Sequence, residues 1–183
     1  MSYNPRVHHR QSIRLRSYDY SQPGWYFITI CTYERRMIFG DIVDGQMILN
    51  GTGKIVEKYW REIISNYHQV NLHDFVIMPN HLHGIIQLVG AQFIAPNLDV
   101  APELNQGAIN QGAINRAPTV GEIVRGFKAR CTWSINKNID MHGVPVWQRN
   151  YHEHIIRSQE AYSAITEYVR TNPQRWQEDT YHA

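Results

Sequence analysis

Phe75-Val76-Ile77-Met78-Pro79-Asn80-His81-Leu82-His83-Gly84-Ile85-Ile86-Gln87-Leu88-Val89 is the stretch that decides how this chain folds. Two apolar runs flank a Pro79-Asn80 interruption, and their β-branched content fits two neighbouring strands of a buried sheet rather than an amphipathic helix. Alternate residues of a strand share a face, so His81 and His83 point the same way while Leu82 points the other. Two imidazoles side by side can clamp a metal ion. Two hydrogen-bonded core histidines would leave the same trace in sequence.

Upstream, Gly24–Thr32 is rich in aromatic and β-branched residues and predicts a first, central strand. Asp41-Ile42-Val43 and Gln46-Met47-Ile48-Leu49 around Asp44-Gly45 predict a hairpin, because Asp-Gly tolerates the positive φ of a type I′ turn. From Thr52 the period changes: Ile55, Val56, Tyr59, Trp60, Ile63, Ile64 and Tyr67 recur at helical spacing, predicting a helix packed on the sheet. Its aromatic stripe reads as core rather than as a platform for stacked bases.

Downstream, periodicity vanishes between Gly90 and Pro118, where Gln106-Gly107-Ala108-Ile109-Asn110 is repeated at once as Gln111-Gly112-Ala113-Ile114-Asn115. A tandem duplication of this kind predicts a mobile surface loop at about 90–118 with no catalytic residue. Helical spacing returns at Val120, Ile123, Val124, Phe127, Cys131 and Ile135 behind a Thr119 N-cap. Arg125, Lys128 and Thr132 form a polar stripe beside the apolar one, either a solvated face or a phosphate-contacting one. Pro145–Arg149 and Tyr151–Arg157 predict another strand. Ser158 then caps a last helix through Ala161, Ile165 and Val169, expected to stop at Asn172 because Pro173 disfavours helical geometry before it. Tyr168 and Asn172 lie one turn apart and can present a phenol and an amide oxygen to one place, although a half-buried packing tyrosine fits the same spacing.

A chain of 183 residues with 43% hydrophobic and 11% aromatic content is enough for a single domain, read here as spanning 1–183. A net charge of +2 does not by itself announce a nucleic-acid binder. The charge is uneven, however: Arg6, Arg10, Arg14 and Arg16 precede the first acid, Asp19. Residues at about 1–20 are therefore a basic arm, either a frayed terminus or a phosphate-contacting segment. Cys31 and Cys131 have no partner at metal-ligand spacing, which suits a reduced, cytoplasmic protein. No secretory signal or membrane-length apolar run is visible.

One ordered set of segments runs through nearly the whole chain: Ile13-Arg14-Leu15, Tyr18-Asp19-Tyr20, Tyr26-Phe27-Ile28-Thr29, Val76-Ile77-Met78-Pro79-Asn80-His81-Leu82-His83 and Ile123-Val124-Arg125-Gly126-Phe127-Lys128. It continues through Trp147-Gln148-Arg149-Asn150-Tyr151, His154-Ile155-Ile156-Arg157 and Tyr168-Val169-Arg170-Thr171-Asn172-Pro173. In this the sequence resembles the single-tyrosine HUH transposases of insertion-sequence type, and most closely their REP-associated tyrosine transposase branch. The resemblance implies an α+β fold, an antiparallel sheet flanked by helices of the HUH endonuclease or ferredoxin-like kind, that cuts and rejoins single-stranded or hairpin-forming DNA. It implies that His81 and His83 bind a divalent metal, Mg2+ or Mn2+, that Tyr168 is the nucleophile, and that Asn172 completes the metal site. The insertion-sequence enzymes commonly carry Gln at that last place, whereas the REP-associated branch has Asn. They also work as dimers with shared sites, so a homodimer is an open expectation. Arg14, Arg16, Arg125 and Lys128 are then the expected DNA contacts. The alternative function is a domesticated hairpin-binding protein that no longer transposes.

The chemistry is coherent on its own terms. A phenol with an unperturbed pKa of about 10 needs a nearby cation or base to attack near neutral pH. A metal on the histidine pair could stabilise charge on the scissile phosphate while Tyr168 attacks in line, giving a 5′-phosphotyrosine and a free 3′-OH. The ester conserves the bond energy, so strands can be rejoined without ATP. Two imidazoles suit manganese or another transition ion better than magnesium. A second constellation, Tyr151-His152-Glu153-His154, offers an alternative His-x-His pair with its own tyrosine, or the ligands of a zinc hydrolase acting on small molecules.

Overall fold

β1 (Gly24–Cys31) runs through the interior of a four-stranded antiparallel sheet in the computed structural model, with the spatial order β4-β5-β1-β6. The structure describes residues 22–89, 118–139 and 143–182. The basic arm with Arg14 and Arg16, and all but the end of the expected loop at 90–118, lie outside them. β2 (Gly40–Val43) and β3 (Gln46–Leu49) form the separate hairpin expected from Asp44-Gly45. Both turn residues have positive φ, 50° and 72°, as a type I′ turn requires.

The helix expected from Thr52 to Tyr67 is two: α1 (Gly51–Arg61) and a single turn, α2 (Ile63–Asn66). Glu62 between them has ψ of −6°, which breaks the regular path after Arg61. Asn50 caps α1 by accepting a hydrogen bond from the Gly53 amide at 3.0 Å. β4 (Val70–Met78) and β5 (His81–Leu88) are the two strands around Pro79-Asn80. α3 (Val120–Asn138) begins at a capping box in which Thr119 and Glu122 bond reciprocally. β6 (His152–Ile156) is shorter than the sequence suggested; within 145–149 only Trp147 bridges, to Thr32. α4 (Gln159–Thr171) starts where Ser158 accepts a hydrogen bond from the Ala161 amide.

The sheet separates two layers. On one face Tyr26, Ile28, Ile30, Leu82 and Ile86 pack with α1 and α3 into a buried core. Gly84 belongs to this face: a Cβ there would stand 2.3 Å from the Trp60 ring, so only glycine lets α1 lie this close to β5. Trp60 in turn meets Phe127 of α3 edge-on, with centroids 5.2 Å apart. The other face carries His81, His83, Thr29 and Cys31, with α4 packed across β4 and β5. α4 does not simply stop before Pro173. The chain continues as a 3-10 helix, Asn172–Glu178, kinked at Arg175, with Pro173 in its first turn.

Candidate active site

Because β5 has a period of two, His81 and His83 emerge on one face, opposite Cys31 and Thr29 of β1. Both imidazoles are buried, with ring centroids 4.5 Å apart. Asn80 fixes the tautomer of His81. Its Nδ2 donates to the Tyr181 carbonyl at 2.8 Å, so its Oδ1 is the acceptor facing His81 Nδ1, also at 2.8 Å. His81 must therefore hold its proton on Nδ1 and turn the lone pair of Nε2 into the site. Among the described residues no group donates to that Nε2. Burial, helped by the Arg35 charge, pushes the His81 imidazole down to about 3. His83 is pushed down to about 3 as well, by burial first and its neighbour His81 second, against an opposing pull from Asp179. Both are neutral bases near pH 7, the form that ligates a metal.

Neutral His81 changes the meaning of its neighbour Asp179. The carboxylate Oδ2 lies 4.0 Å from His81 Nε2, and its side chain is only 1% exposed. With no proton on that nitrogen, two acceptors face one another across the gap. Asp179 Oδ2 accepts from Asn172 Nδ2 and its Oδ1 from the Tyr181 amide, each at 2.6 Å. Asn172 Oδ1 is buried with no donor. His81, His83 and Asp179 offer ligand atoms that all lie within 4.8 Å of one another. Of these acceptors His81 Nε2 and Asn172 Oδ1 have no donor among the described residues, which is costly when buried unless something positive sits among them, and nitrogen and carboxylate ligands fit a divalent cation. Asn172 is at this place too, with its carbonyl oxygen the atom left to ligate.

Tyr168 reaches the site from α4. Its Oη is 3.1 Å from His83 Nε2, while Thr29 Oγ1 lies 2.8 Å from Nδ1 of the same ring. Phe27 stacks on His83 at 5.2 Å and meets Tyr168 edge-on at 6.1 Å, holding both rings. Burial, with the nearby Asp179 and Tyr181, pushes the phenol up to about 12. It is protonated near neutral pH and needs activation before it can attack. Arg170, two residues on, donates from Nε to Asp74 Oδ1 at 2.7 Å, and Asp74 lies in the register shift of β4 between Leu72 and Phe75.

The remaining expected residues divide. Arg125 is exposed on α3. Lys128 turns inward, and its ammonium donates to the carbonyls of Gln148, Arg149 and Asn150, with burial pushing it down to about 8. It holds the loop before β6. His152 and His154 pair across β1 with Thr29 and Phe27, on the site's face but exposed on an edge strand. Tyr151 instead bonds Glu153 Oε2 at 2.8 Å, and Glu153 pairs with Ile28 on the opposite face. The rival tyrosine is thus on the wrong side of the sheet from the rival histidines.

Sequence reasoning did not find Asp179, Thr29 or Asn80. Asn80 had a signal, its place beside His81 in a turn, and Thr29 was visible only through strand pairing. Asp179 follows an aperiodic segment and had none.

No family model matches the sequence. An uncharacterized protein of Haemophilus influenzae is 44% identical over 177 residues, covering 97% of this chain and 95% of that protein. Among solved structures, a REP-associated tyrosine transposase bound to a REP hairpin matches with a TM-score of 0.55 at 17% identity, over 91% of this chain and 74% of that one. The α+β fold with a four-stranded antiparallel sheet is therefore shared with that solved structure.

Proposed function

We propose that this chain, which belongs to the same family as the Haemophilus influenzae protein and has a transposase fold, is a metal-dependent strand transferase for hairpin-forming, single-stranded DNA. The observation that carries this reading is the convergence at one buried place of the Tyr168 phenol, the Asp179 carboxylate and two acceptors with no donor among the described residues, His81 Nε2 and Asn172 Oδ1. The fold likeness supports transposase-type processing of DNA, and the neighbour's REP hairpin supports the partner class.

In this reading His81, His83 and Asp179 hold a divalent cation, with Asn172 Oδ1 as a further donor. The donor set favours Mn2+ over Mg2+. The cation supplies charge stabilisation at the scissile phosphate. Tyr168 Oη forms the new bond to phosphorus as the bond from phosphorus to the 3′ oxygen breaks. The 3′ oxygen takes up a proton and leaves as a hydroxyl, and the 5′ phosphate stays on the tyrosine. Attack by a DNA 3′-OH on that ester reverses the step and joins strands. Asn80 and Thr29 orient the two imidazoles, and Phe27 fixes the angle between His83 and Tyr168. Tyr168 meets the histidines of its own chain, so one protomer contains the whole constellation. Arg14 and Arg16 in the arm at about 1–20, with Arg125, are assigned to DNA.

Incubation with 5′- and 3′-labelled hairpin DNA and Mn2+ tests this directly. The expected result is a protein band carrying the 3′ label, because the downstream fragment stays on the tyrosine through its 5′ phosphate, with the 5′ label released on the fragment that ends in 3′-OH; neither forms with chelator. Tyr168→Phe should bind hairpin DNA yet form no adduct, while Tyr151→Phe still forms one. Tight hairpin binding with no adduct in the wild type would instead favour a binding protein without transferase activity.

A further inference from the structure

The exposed face of α3 is a second candidate surface, separated by the sheet from the histidine site. Its buried apolar residues, Val120, Ile123, Val124, Phe127, Cys131 and Ile135, define the inner stripe of the helix, and Asn136 near its end is buried separately, donating to the Val144 carbonyl at 3.0 Å. At 100° per residue, Arg125, Ala129, Trp133 and Lys137 then follow one outward line at four-residue spacing, with Arg130 beside Trp133. Lys128 falls off this line, consistent with its inward bonds to the three carbonyls of 148–150.

Trp133 is 64% exposed, whereas Trp60, Trp147 and Trp176 are buried. A large ring left in water in the middle of a helix does not contribute to the core. The Lys137 ammonium lies 5.0 Å from its centroid. Among the described residues no carboxylate pairs with Arg125, Arg130 or Lys137. The one acid of α3, Glu122, is engaged with Thr119 in the capping box.

We propose that this line of Arg125, Arg130, Trp133 and Lys137 is a binding surface for a single DNA strand, with Trp133 stacking on an unpaired base and the cations on flanking phosphates. The inference rests on the DNA-processing reading above. The occupant is argued from two complements. Three cations with no carboxylate partner among the described residues, over a helix length of about 18 Å, call for a polyanion. An exposed tryptophan among them calls for a free base face, which a strand offers and a duplex withholds. Because the helix layer and the histidine site lie on opposite faces of the sheet, the strand gripped here is remote from the bond that is cut.

Titration of the full chain with a 20-mer of thymidine, in chelator so that no cleavage occurs, tests the surface by tryptophan fluorescence and by anisotropy of labelled DNA. Wild type should show quenching that Trp133→Phe largely removes, and Trp133→Ala should weaken binding about tenfold. The Arg130→Gln/Lys137→Gln pair should lower the salt slope of log K by about 1.4. All three changes lie on the exposed face, and unchanged circular dichroism and unchanged adduct formation on hairpin DNA show that the fold and the histidine site are intact. If these variants keep wild-type affinity and slope while the hairpin adduct forms, this inference falls and the transferase reading stands. Absence of any DNA binding or adduct in the wild type overturns both. Self-association abolished by Trp133→Ala with DNA affinity unchanged would make the face a contact between copies, and would overturn the inference as well.

Discussion

The phenolic oxygen of Tyr168 and Nε2 of His83 are 3.1 Å apart, and in the tautomer protonated on Nδ1, the one that can ligate through Nε2, that nitrogen has one lone pair. That lone pair can accept the phenol's proton or ligate a metal, but not both. On the proposed reading, a metal held by His83 through Nε2 would displace the Tyr168 hydroxyl from that nitrogen and leave the phenol free to turn toward substrate. Tyr168→Phe removes the competitor at the loss of one hydrogen bond, about 1 kcal/mol, so it should bind Mn2+ roughly fivefold more tightly than wild type. Calorimetric titration checks this. Equal or weaker affinity would mean that the phenol does not compete for the nitrogen.

Replacing either histidine should abolish cleavage through loss of metal rather than loss of fold. His81→Ala and His83→Ala should show no rise in melting temperature on adding Mn2+, where wild type at one hundred times its Kd should gain about 2.7 kcal/mol. Normal cleavage by either variant at saturating Mn2+ would move the metal to another cluster, with His152 and His154 the first to test.

Asp179 was not legible in the sequence, and it gives a distinct expectation. Asp179→Asn keeps the shape but exchanges a carboxylate for an amide facing His81 Nε2 at 4.0 Å. The amide nitrogen can turn a donor toward that lone pair only by giving up the bond that Oδ2 accepts from Asn172 Nδ2. Metal affinity should fall by at least tenfold, because a neutral amide replaces the carboxylate charge. Mn2+ affinity within twofold of wild type would remove Asp179 from the ligand set.

The metal-free protein should lose stability in acid in a defined window. Both histidines are held down to about 3 in the folded state, against about 6.5 for the free side chain. Between those values the unfolded chain binds more protons than the folded one, so stability rises with pH across that span and levels off above it. Urea unfolding in chelator at intervals from pH 4 to 8 measures the slope. His81→Gln should flatten it, and an unchanged slope would assign acid sensitivity to the carboxylates alone.

Gly84→Ala should destabilise the protein although it adds a single methyl group. The added Cβ would stand 2.3 Å from the Trp60 ring, on the strand that carries both histidines. Overpacking of this sort costs about 1–3 kcal/mol, several degrees of melting temperature for a domain of this size. A melting point within one degree of wild type would show that Trp60 can withdraw freely.

What could be read from sequence was whatever local periodicity records. The period of two placed His81 and His83 on one face, and one helical turn placed Tyr168 near Asn172. The hairpin at Asp44-Gly45 followed from the φ requirement of its turn. What escaped depends on contacts between distant segments. Pro173 was expected to end the helical path, yet a proline is tolerated in the first turn of the 3-10 helix that follows, and that helix carries Asp179 back to the histidines. Lys128 had the spacing of a solvent-facing cation, but three carbonyls of a loop before β6 draw it inward. In both cases the partners that matter, the histidines for Asp179 and the loop carbonyls for Lys128, lie 20 or more positions away in sequence.

The first strand along the described chain lies inside the sheet, and this governs when the protein can act. Thr29 finds His83 across 54 positions, and Tyr168 reaches the same ring across 85. Pairings of such separation close large loops before they are rewarded, so folding belongs to the slow, millisecond-to-second range of mixed and β-rich topologies. A chain still emerging during synthesis holds β1, β4 and β5 before it holds Tyr168 or Asp179. The paired imidazoles can therefore exist before the phenol and the carboxylate reach them, and a partly made molecule lacks the assembled site.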